Sequence, residues 1–176
     1  MCSFTSIIFH SHISYGCLLW GNNNANLKRL FTLQKKAIRL MKFAQSRSSS
    51  NPLFLELKIL KLYDQIKLNQ CIFVHKTMNN LQPENFDNWF QLTRNIHNHF
   101  TRKAKLGLIS LNLFNSSYYG RHSPLNSCVR SWNFIQGNLS PQNLPEMNDV
   151  LFKNTLKCSF FNTYCENWNY YAWLII

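Results

Sequence analysis

A helical period across residues 27–42 constrains the fold of this chain more than any other feature of its sequence. The stretch reads "LKRLFTLQKKAIRLMK", and at about 100° per residue its apolar and cationic side chains separate onto opposite sides. The pattern predicts an amphipathic helix that packs its apolar stripe against a core. One of the asparagines at 22–24 is expected to cap the first turn, because Asn accepts a hydrogen bond from an early helical amide. The stripe comprises Leu27, Leu30, Phe31, Ala37, Ile38 and Met41.

Two further helices are predicted between residues 51 and 80. Asn51 is expected to cap the first, with Pro52 at the first helical position, where the missing N–H has no cost. A break near Leu60 separates it from a long helix within "KLYDQIKLNQCIFVHKTMNN", residues 61–80. A short helical turn is predicted over 86–92.

The C-terminal half carries weaker helical signals. One helix is predicted over 123–135, with Ser123 as cap and Pro124 at its first position. Another is predicted over 148–164, where apolar residues recur every four positions. The stretch "LGLISLNLF" at 106–114 alternates apolar and polar residues and predicts an extended segment, with a strand as one alternative. The fold class is therefore expected to be mainly α, with five or six helices and at most a short extended segment.

The charge of the chain favours a polyanionic partner. Its formal net charge is +12, with 19 Lys and Arg against seven Asp and Glu, and no carboxylate occurs before Glu56. Such a field attracts nucleic acid through counterion release but gives no sequence specificity. The alternatives are a protein-interaction or scaffold fragment whose basic face meets an acidic partner, a merely soluble basic protein, and a non-functional pseudogene product. The candidate nucleic-acid-binding residues are Lys28, Arg29, Lys35, Lys36, Arg39 and Lys42.

Several other features argue for an intracellular protein without a membrane segment. The six cysteines show no CxxC spacing and are expected to be reduced and mostly buried. The start of the chain lacks the basic region of a signal peptide. The end, "WNYYAWLII", is shorter than the roughly 20 residues that a membrane helix needs. The oligomeric state does not follow from these patterns.

Neither a cofactor nor a metal is expected. The pairs His10/His12 and His97/His99 have the i, i+2 spacing of metal ligands on a strand, but further ligands do not follow, so ordinary polar histidines are the preferred interpretation. Cys71 and His75 could suggest a nucleophile and its base, yet the apolar residues beside them favour a packed thiol. A glycine-rich phosphate loop is absent from the sequence.

Aromatic side chains offer a second mode of nucleic-acid contact. Trp20, Trp132, Tyr15 and Phe31 could stack on bases, although aromatics at helical spacing among apolar residues are more often core. Arg121 and Arg130, near Trp132, form a lesser basic cluster that is a secondary candidate for phosphate contact.

The order of several motifs resembles one protein family. The blocks resemble the C-terminal part of the reverse transcriptase of non-LTR (LINE-type, jockey-like) retrotransposons, over roughly residues 6–164. The first two blocks are the most specific. The blocks are "SHISYGCLLWG" (11–21), "LQKKAIRLM" (33–41), "NPLFLELKILKLYD" (51–64), "IHNHFTR" (96–102), and "SWNFI" (131–135) before "LFKNTLK" (151–157).

The resemblance implies a thumb-like helical region over 1–92 and a looser helical region over 93–176, sharing one core. A thumb grips the template–primer backbone, so the helix that bears Lys35, Lys36 and Arg39 is implied to face RNA or DNA. The resemblance does not imply catalysis, because polymerisation needs paired carboxylates that hold two metals. The three Asp residues of this chain, at 64, 87 and 149, are not adjacent. The chain is therefore expected to be a truncated, non-catalytic fragment whose partners include nucleic acid and a polymerase palm domain.

Overall fold

The computed structural model describes residues 11–22, 24–96, 99, 101–112, 120, 122–138 and 147–172. Within this part of the chain the fold is mainly α, which confirms the predicted fold class. A 3-10 helix at Glu84–Phe86 lies between α4 and α5. The α-helices are α1 Cys17–Trp20, α2 Asn24–Met41, α3 Asn51–Glu56, α4 Leu62–Met78, α5 Thr93–Ile96, α6 Arg102–Lys105, α7 Pro124–Asn138 and α8 Asp149–Ala172.

The described residues contain more helices than the five or six predicted. The difference comes from α1, α5 and α6, each of which has four residues. One helical turn is too short to show a 3.6-residue period, so sequence patterns miss it. The turn predicted over 86–92 is displaced, because the 3-10 helix ends at Phe86.

The longer helices follow the predicted periods, and their starts agree with the prediction in part. Helix α7 begins at Pro124, directly after Ser123, as predicted, whereas the start of α3 differs and Asn23, before α2, lies outside the described residues. Asn51 is the first residue of α3, and Ser50 occupies the N-cap position. Asn22 donates its side-chain amide to the Leu18 carbonyl at 3.4 Å and so bonds back to α1. Asn148 caps α8, since its Oδ1 accepts from the Val150 amide at 3.1 Å.

The chain divides into two compact units. The first unit comprises Met1–Ile66 and Asn154–Ile176, and the second comprises Lys67–Lys153. The divisions fall inside α4 and α8. The predicted division into regions 1–92 and 93–176 follows from the family resemblance and not from packing, so it stays a prediction.

The core of the first unit joins α1, α2 and the start of α4. Its buried members are Ile13, Cys17, Leu27, Leu62 and Ile66. Close approach of α1 to α4 requires glycine at position 21, because a Cβ there would lie 2.3 Å from the Cys17 carbonyl oxygen and 2.9 Å from Ile66 Cγ2. The final glycine of "YGCLLWG" therefore has a packing reason.

A row of stacked rings forms the centre of the second unit. The His75 and Phe152 rings stack at a centroid distance of 4.2 Å, and Phe152 also stacks on Trp132 at 5.9 Å. All three side chains are buried. The burial of Phe152 agrees with the predicted apolar face of α8.

The extended segment near Ile109 is held by side chains instead of a strand ladder. In the described part of the chain the β-pairing is an isolated antiparallel bridge between Leu92 and Ile109, so the segment is extended without being a strand. Asn133 of α7 donates to the Ile109 carbonyl and accepts from its amide, each at 2.9 Å. Asn126, one heptad earlier, pairs in the same way with both main-chain groups of Asn112.

Candidate nucleic-acid interface

The helix α2 buries the face that its period predicts. Leu27 and Ile38 are buried, and Phe31 lies among aromatic rings, 6.3 Å from Phe54 and 5.3 Å from Tyr63 between centroids. The opposite face of α2 is therefore directed to solvent, as the helical wheel requires.

A buried glutamine fixes α2 in place, and sequence patterns did not predict it. Gln34 is only 2% exposed. Its Nε2 donates to the Leu60 carbonyl at 2.9 Å, and its Oε1 accepts from the Leu62 amide at 2.8 Å. The Leu60 carbonyl lies in the break between α3 and α4, and the Leu62 amide lies in the first turn of α4, where helical partners are missing. The position of Gln34, seven residues after Leu27 and four before Ile38, was the signal for its burial.

Three of the six predicted cations present their charge to solvent. Lys28, Arg29 and Lys36 are exposed. Among the described residues, no ion pair involves these three side chains. Since no carboxylate precedes Glu56 in the sequence, this part of α2 carries positive charge that nearby acidic residues do not neutralise.

The other three predicted cations are engaged within the first unit. The Lys35 ammonium lies 4.7 Å from the centroid of the Phe31 ring, and Arg39 donates its Nε to the Ser48 carbonyl at 2.9 Å. Lys42 forms an ion pair with Glu56. Lys42 is therefore paired within the first unit, since Glu56 of α3 lies beside it.

The solvent face of α2 is also less uniformly cationic than predicted. Leu33 is 54% exposed and Leu40 is 76% exposed, and Phe43 follows directly after the helix with its ring almost fully in solvent. These three apolar side chains alternate with Arg29 and Lys36 along the chain. The surface therefore combines positive charge with apolar contact area.

The aromatic residues considered for stacking separate into two groups. Trp132 is buried in the second unit, and Trp20 and Phe31 pack against the core of the first, which confirms the core interpretation for these three. Tyr15 is 85% exposed, so the same interpretation is wrong for Tyr15.

A second group of exposed cations lies in the second unit. It consists of Arg94 on α5 and Arg102, Lys103 and Lys105 on α6. Arg130, predicted as a lesser phosphate contact, donates its guanidinium to the Gly120 carbonyl at 3.0 Å. Its predicted neighbour Arg121 lies outside the described residues.

The pair Cys71 and His75 is structural. Burial raises the pKa of the Cys71 thiol, and the neighbouring Cys128 raises it further, so Cys71 is not an activated nucleophile. Nδ1 of His75 lies 2.9 Å from Asp149 Oδ1. Its other ring nitrogen, Nε2, lies 3.2 Å from the side-chain amide nitrogen of Asn79. Both ring nitrogens thus have partners within the second unit, which confirms the packed interpretation.

The remaining candidates give no chemical site in the described part of the chain. His12 and His99 are exposed, whereas His10 and His97 lie outside the described residues. Where the structure describes the chain, no three His, Cys, Asp or Glu side chains are grouped closely enough to hold a metal ion. Cys17, Cys71 and Cys128 are buried and Cys158 is exposed, and none of these four forms a disulfide.

None of the helices within the described residues combines the length and the apolar character needed to cross a lipid bilayer.

Most blocks that resemble the retrotransposon reverse transcriptases fall on described helices. "SHISYGCLLWG" includes α1, "LQKKAIRLM" is the second half of α2, and "NPLFLELKILKLYD" runs from α3 into α4. "IHNHFTR" lies partly outside the described residues. Comparison of the chain with protein-family models, with curated proteins and with solved structures gave no match in any of the three.

Proposed function

We propose that this protein binds the backbone of nucleic acid through the solvent face of α2. The observation that carries the proposal is the exposure of Lys28, Arg29 and Lys36, none of which forms an ion pair among the described residues. Each phosphate that such a cation neutralises releases condensed counterions, which supplies sequence-independent affinity. Contacts of this kind position a nucleic acid but do not read its bases.

The arrangement of the cations suits an extended anion better than a single small one. Arg29 and Lys36 are seven residues apart, which on an α-helix is about 10 Å along the axis and nearly the same direction around it. Lys28 and Lys35 lie on one side of this line. Arg39 and Lys42 add positive charge at the end of α2 while their side chains bind Ser48 and Glu56.

We further propose that the chain derives from the thumb and following region of a non-LTR retrotransposon reverse transcriptase. The support is the order of the sequence blocks together with the basic character of α2, whose second half is one of these blocks. The proposed capacity is binding without catalysis, since the chain has no adjacent aspartates. A palm with paired aspartates, encoded upstream of Met1, would support this origin, whereas unrelated sequence there would remove it.

The experiment measures binding of the full chain to fluorescein-labelled duplex DNA by anisotropy, at salt concentrations between about 50 and 200 mM. Three phosphate contacts predict a slope of about −2.7 for log affinity against log salt, or about a 40-fold loss over this range. The triple variant Lys28→Gln, Arg29→Gln, Lys36→Gln should lose most of this slope.

A matched control variant distinguishes binding through the cations of α2 from a general effect of net charge on affinity. The variant Arg94→Gln, Lys103→Gln, Lys105→Gln removes the same three charges from exposed positions of the second unit, and it should keep the wild-type slope. Equal losses in the two variants would mean that the total charge of +12, and not α2, governs binding. Circular dichroism of both variants verifies that they are folded.

The second candidate is a surface for an acidic protein partner, which includes a separate polymerase palm domain. Leu33 and Leu40 favour it, because their exposure provides apolar area that a phosphate backbone does not use. Protein interfaces depend less steeply on salt than phosphate contacts do, and they lose affinity when apolar anchors are truncated. A shallow salt slope with a strong Leu40→Ala effect would select this candidate.

A further inference from the structure

Phe43 breaks two local rules at the end of α2. Its φ is 50°, in the left-handed region that glycine normally occupies after a helix. The Phe43 amide donates to the Leu40 carbonyl at 3.2 Å, and the Ala44 amide donates to the Arg39 carbonyl at 2.9 Å. These are the two bonds of a Schellman motif, in which glycine is the usual residue at the Phe43 position.

The ring of Phe43 also gains nothing from the fold. Its side chain is 98% exposed, so an apolar ring stands in water at a position where its backbone is strained as well. Residues that break local rules without a compensating contact within the fold are found preferentially at functional sites. The described contacts within the fold therefore do not account for an exposed phenylalanine at this position.

The surroundings of Phe43 indicate the type of ligand. Arg29, Leu33, Lys36 and Leu40 succeed one another at spacings of four, three and four residues, which makes them a single row along the solvent face of α2. Phe43 follows three residues after Leu40, directly beyond the end of the helix. Cations in line with an exposed aromatic ring are the elements by which proteins hold single-stranded nucleic acid.

We propose that Phe43 is a base-stacking residue and that unpaired nucleotides are the preferred ligand of α2. This inference rests on the proposed function, since Arg29 and Lys36 would hold the phosphates while the ring receives a base. Every base has a π-face, so the stacking is independent of sequence. In a duplex the faces of the bases are covered by their neighbours, and the ring would have no such partner.

The test compares single strands with a duplex in the full chain. Labelled dT and U oligonucleotides of about 20 nucleotides, and a duplex of the same length, are titrated with wild type, Phe43→Ala and Phe43→Trp. Loss of one stacked base should weaken binding of both single strands by about 5- to 150-fold. Duplex affinity should stay within about twofold, and Phe43→Trp should retain single-strand binding.

Two control variants keep the result interpretable. Phe43→Gly removes the ring at a backbone position that glycine prefers, so it should reproduce the Phe43→Ala effect without a loss of stability. Phe134→Ala removes a half-exposed aromatic ring of the second unit and should leave all affinities unchanged. A loss from Phe134→Ala as large as that from Phe43→Ala would overturn the proposal.

The failures of this inference and of the proposed function can be told apart. Duplex and single-strand binding that weaken equally in Phe43→Ala would overturn stacking and leave phosphate binding by α2 intact. Absence of binding to all three oligonucleotides would refute both. Competition by polyglutamate as strong as that by the dT oligonucleotide, and equally sensitive to Phe43→Ala, would assign the ring to an acidic protein partner and overturn the inference.

Discussion

The substitution Gln34→Met tests whether one buried amide fixes α2 to the rest of the first unit. Gln34 is buried, and it satisfies the Leu60 carbonyl and the Leu62 amide at 2.9 and 2.8 Å. Methionine is unbranched and of similar length, so it removes both hydrogen bonds while it keeps most of the packing. The variant therefore isolates the polar contribution of the side chain.

The expected loss follows from the two main-chain groups that would be left without a partner. A buried donor or acceptor without a partner costs about 1–3 kcal/mol, which gives about 2–6 kcal/mol for the pair. Methionine recovers part of this, because a thioether is less costly to bury than an amide. We expect a net loss of about 2–4 kcal/mol in the free energy of unfolding, a large share of the roughly 5–15 kcal/mol that stabilises a typical domain.

Urea denaturation followed by circular dichroism measures this loss. With a urea m-value of about 2 kcal/mol/M, the midpoint should fall by about 1–2 M. Gln45→Met is the matched control, since Gln45 is exposed in the same unit, and a surface change of this kind should stay within about 0.5 kcal/mol. A loss for Gln34→Met below about 1 kcal/mol, or one equal to that of Gln45→Met, would refute the anchoring role.

Two further predictions concern the other polar contacts of the fold. Asn133→Ala removes both side-chain bonds to Ile109, so hydrogen exchange at the Ile109 amide should become much faster, whereas unchanged protection would contradict the role of Asn133. Burial and the adjacent Asp64 carboxylate raise the pKa of Tyr164 above 10.0. The folded state then holds the phenol proton more tightly than the unfolded state, and the stability due to Tyr164 falls as pH rises past 10.0, by about 1.4 kcal/mol per pH unit. Tyr164→Phe should remove this alkaline loss in urea titrations between pH 10 and 11, and an identical slope in both proteins would exclude Tyr164 as its source.

The helices that could be predicted are those with a long repeat of apolar residues. The period over 27–42 gives α2 and its buried face, and the spacing of Phe152, Leu156 and Phe160 gives α8, whose three residues are all buried. Such helices are predictable because the spacing of apolar residues within the helix determines which of its faces is buried. The one-turn helices α5 and α6 have no such repeat and depend on their surroundings.

The polar side chains that organise the fold could not be predicted from periodicity. Gln34, Asn126 and Asn133 each use one side-chain amide as donor and acceptor toward the main chain. This pairing replaces helical or strand hydrogen bonds where the chain has neither, and its partners are 14 to 28 residues away. The apolar repeat of α2 indicates that Gln34 is buried, but it cannot indicate which main-chain groups these three amides bond to.

The candidate site likewise depends partly on the local helical period and partly on contacts with residues that are distant in the sequence. The sequence placed six cations on one side of α2, but the engagement of Lys42 depends on Glu56, which is 14 residues away. The turn after α2 brings α3 into contact with α2, and it also holds Phe43 in its left-handed conformation. The turn that brings Glu56 to Lys42 is therefore the same turn that leaves the Phe43 ring exposed to solvent.

The roles of Gln34 and Phe43 together explain how one helix can serve both the fold and a ligand. Rotation of α2 about its axis would break the two hydrogen bonds of Gln34 at Leu60 and Leu62, which favours the orientation in which Arg29 and Lys36 face solvent. Cations held in place before binding lose less conformational freedom when they bind. Like charges on this face repel one another, and the buried contacts of Gln34 and Ile38 stabilise the helix against that repulsion. The buried contacts on the core-facing side of α2 thus stabilise a helix whose opposite side carries unpaired positive charge and ends at an exposed aromatic ring.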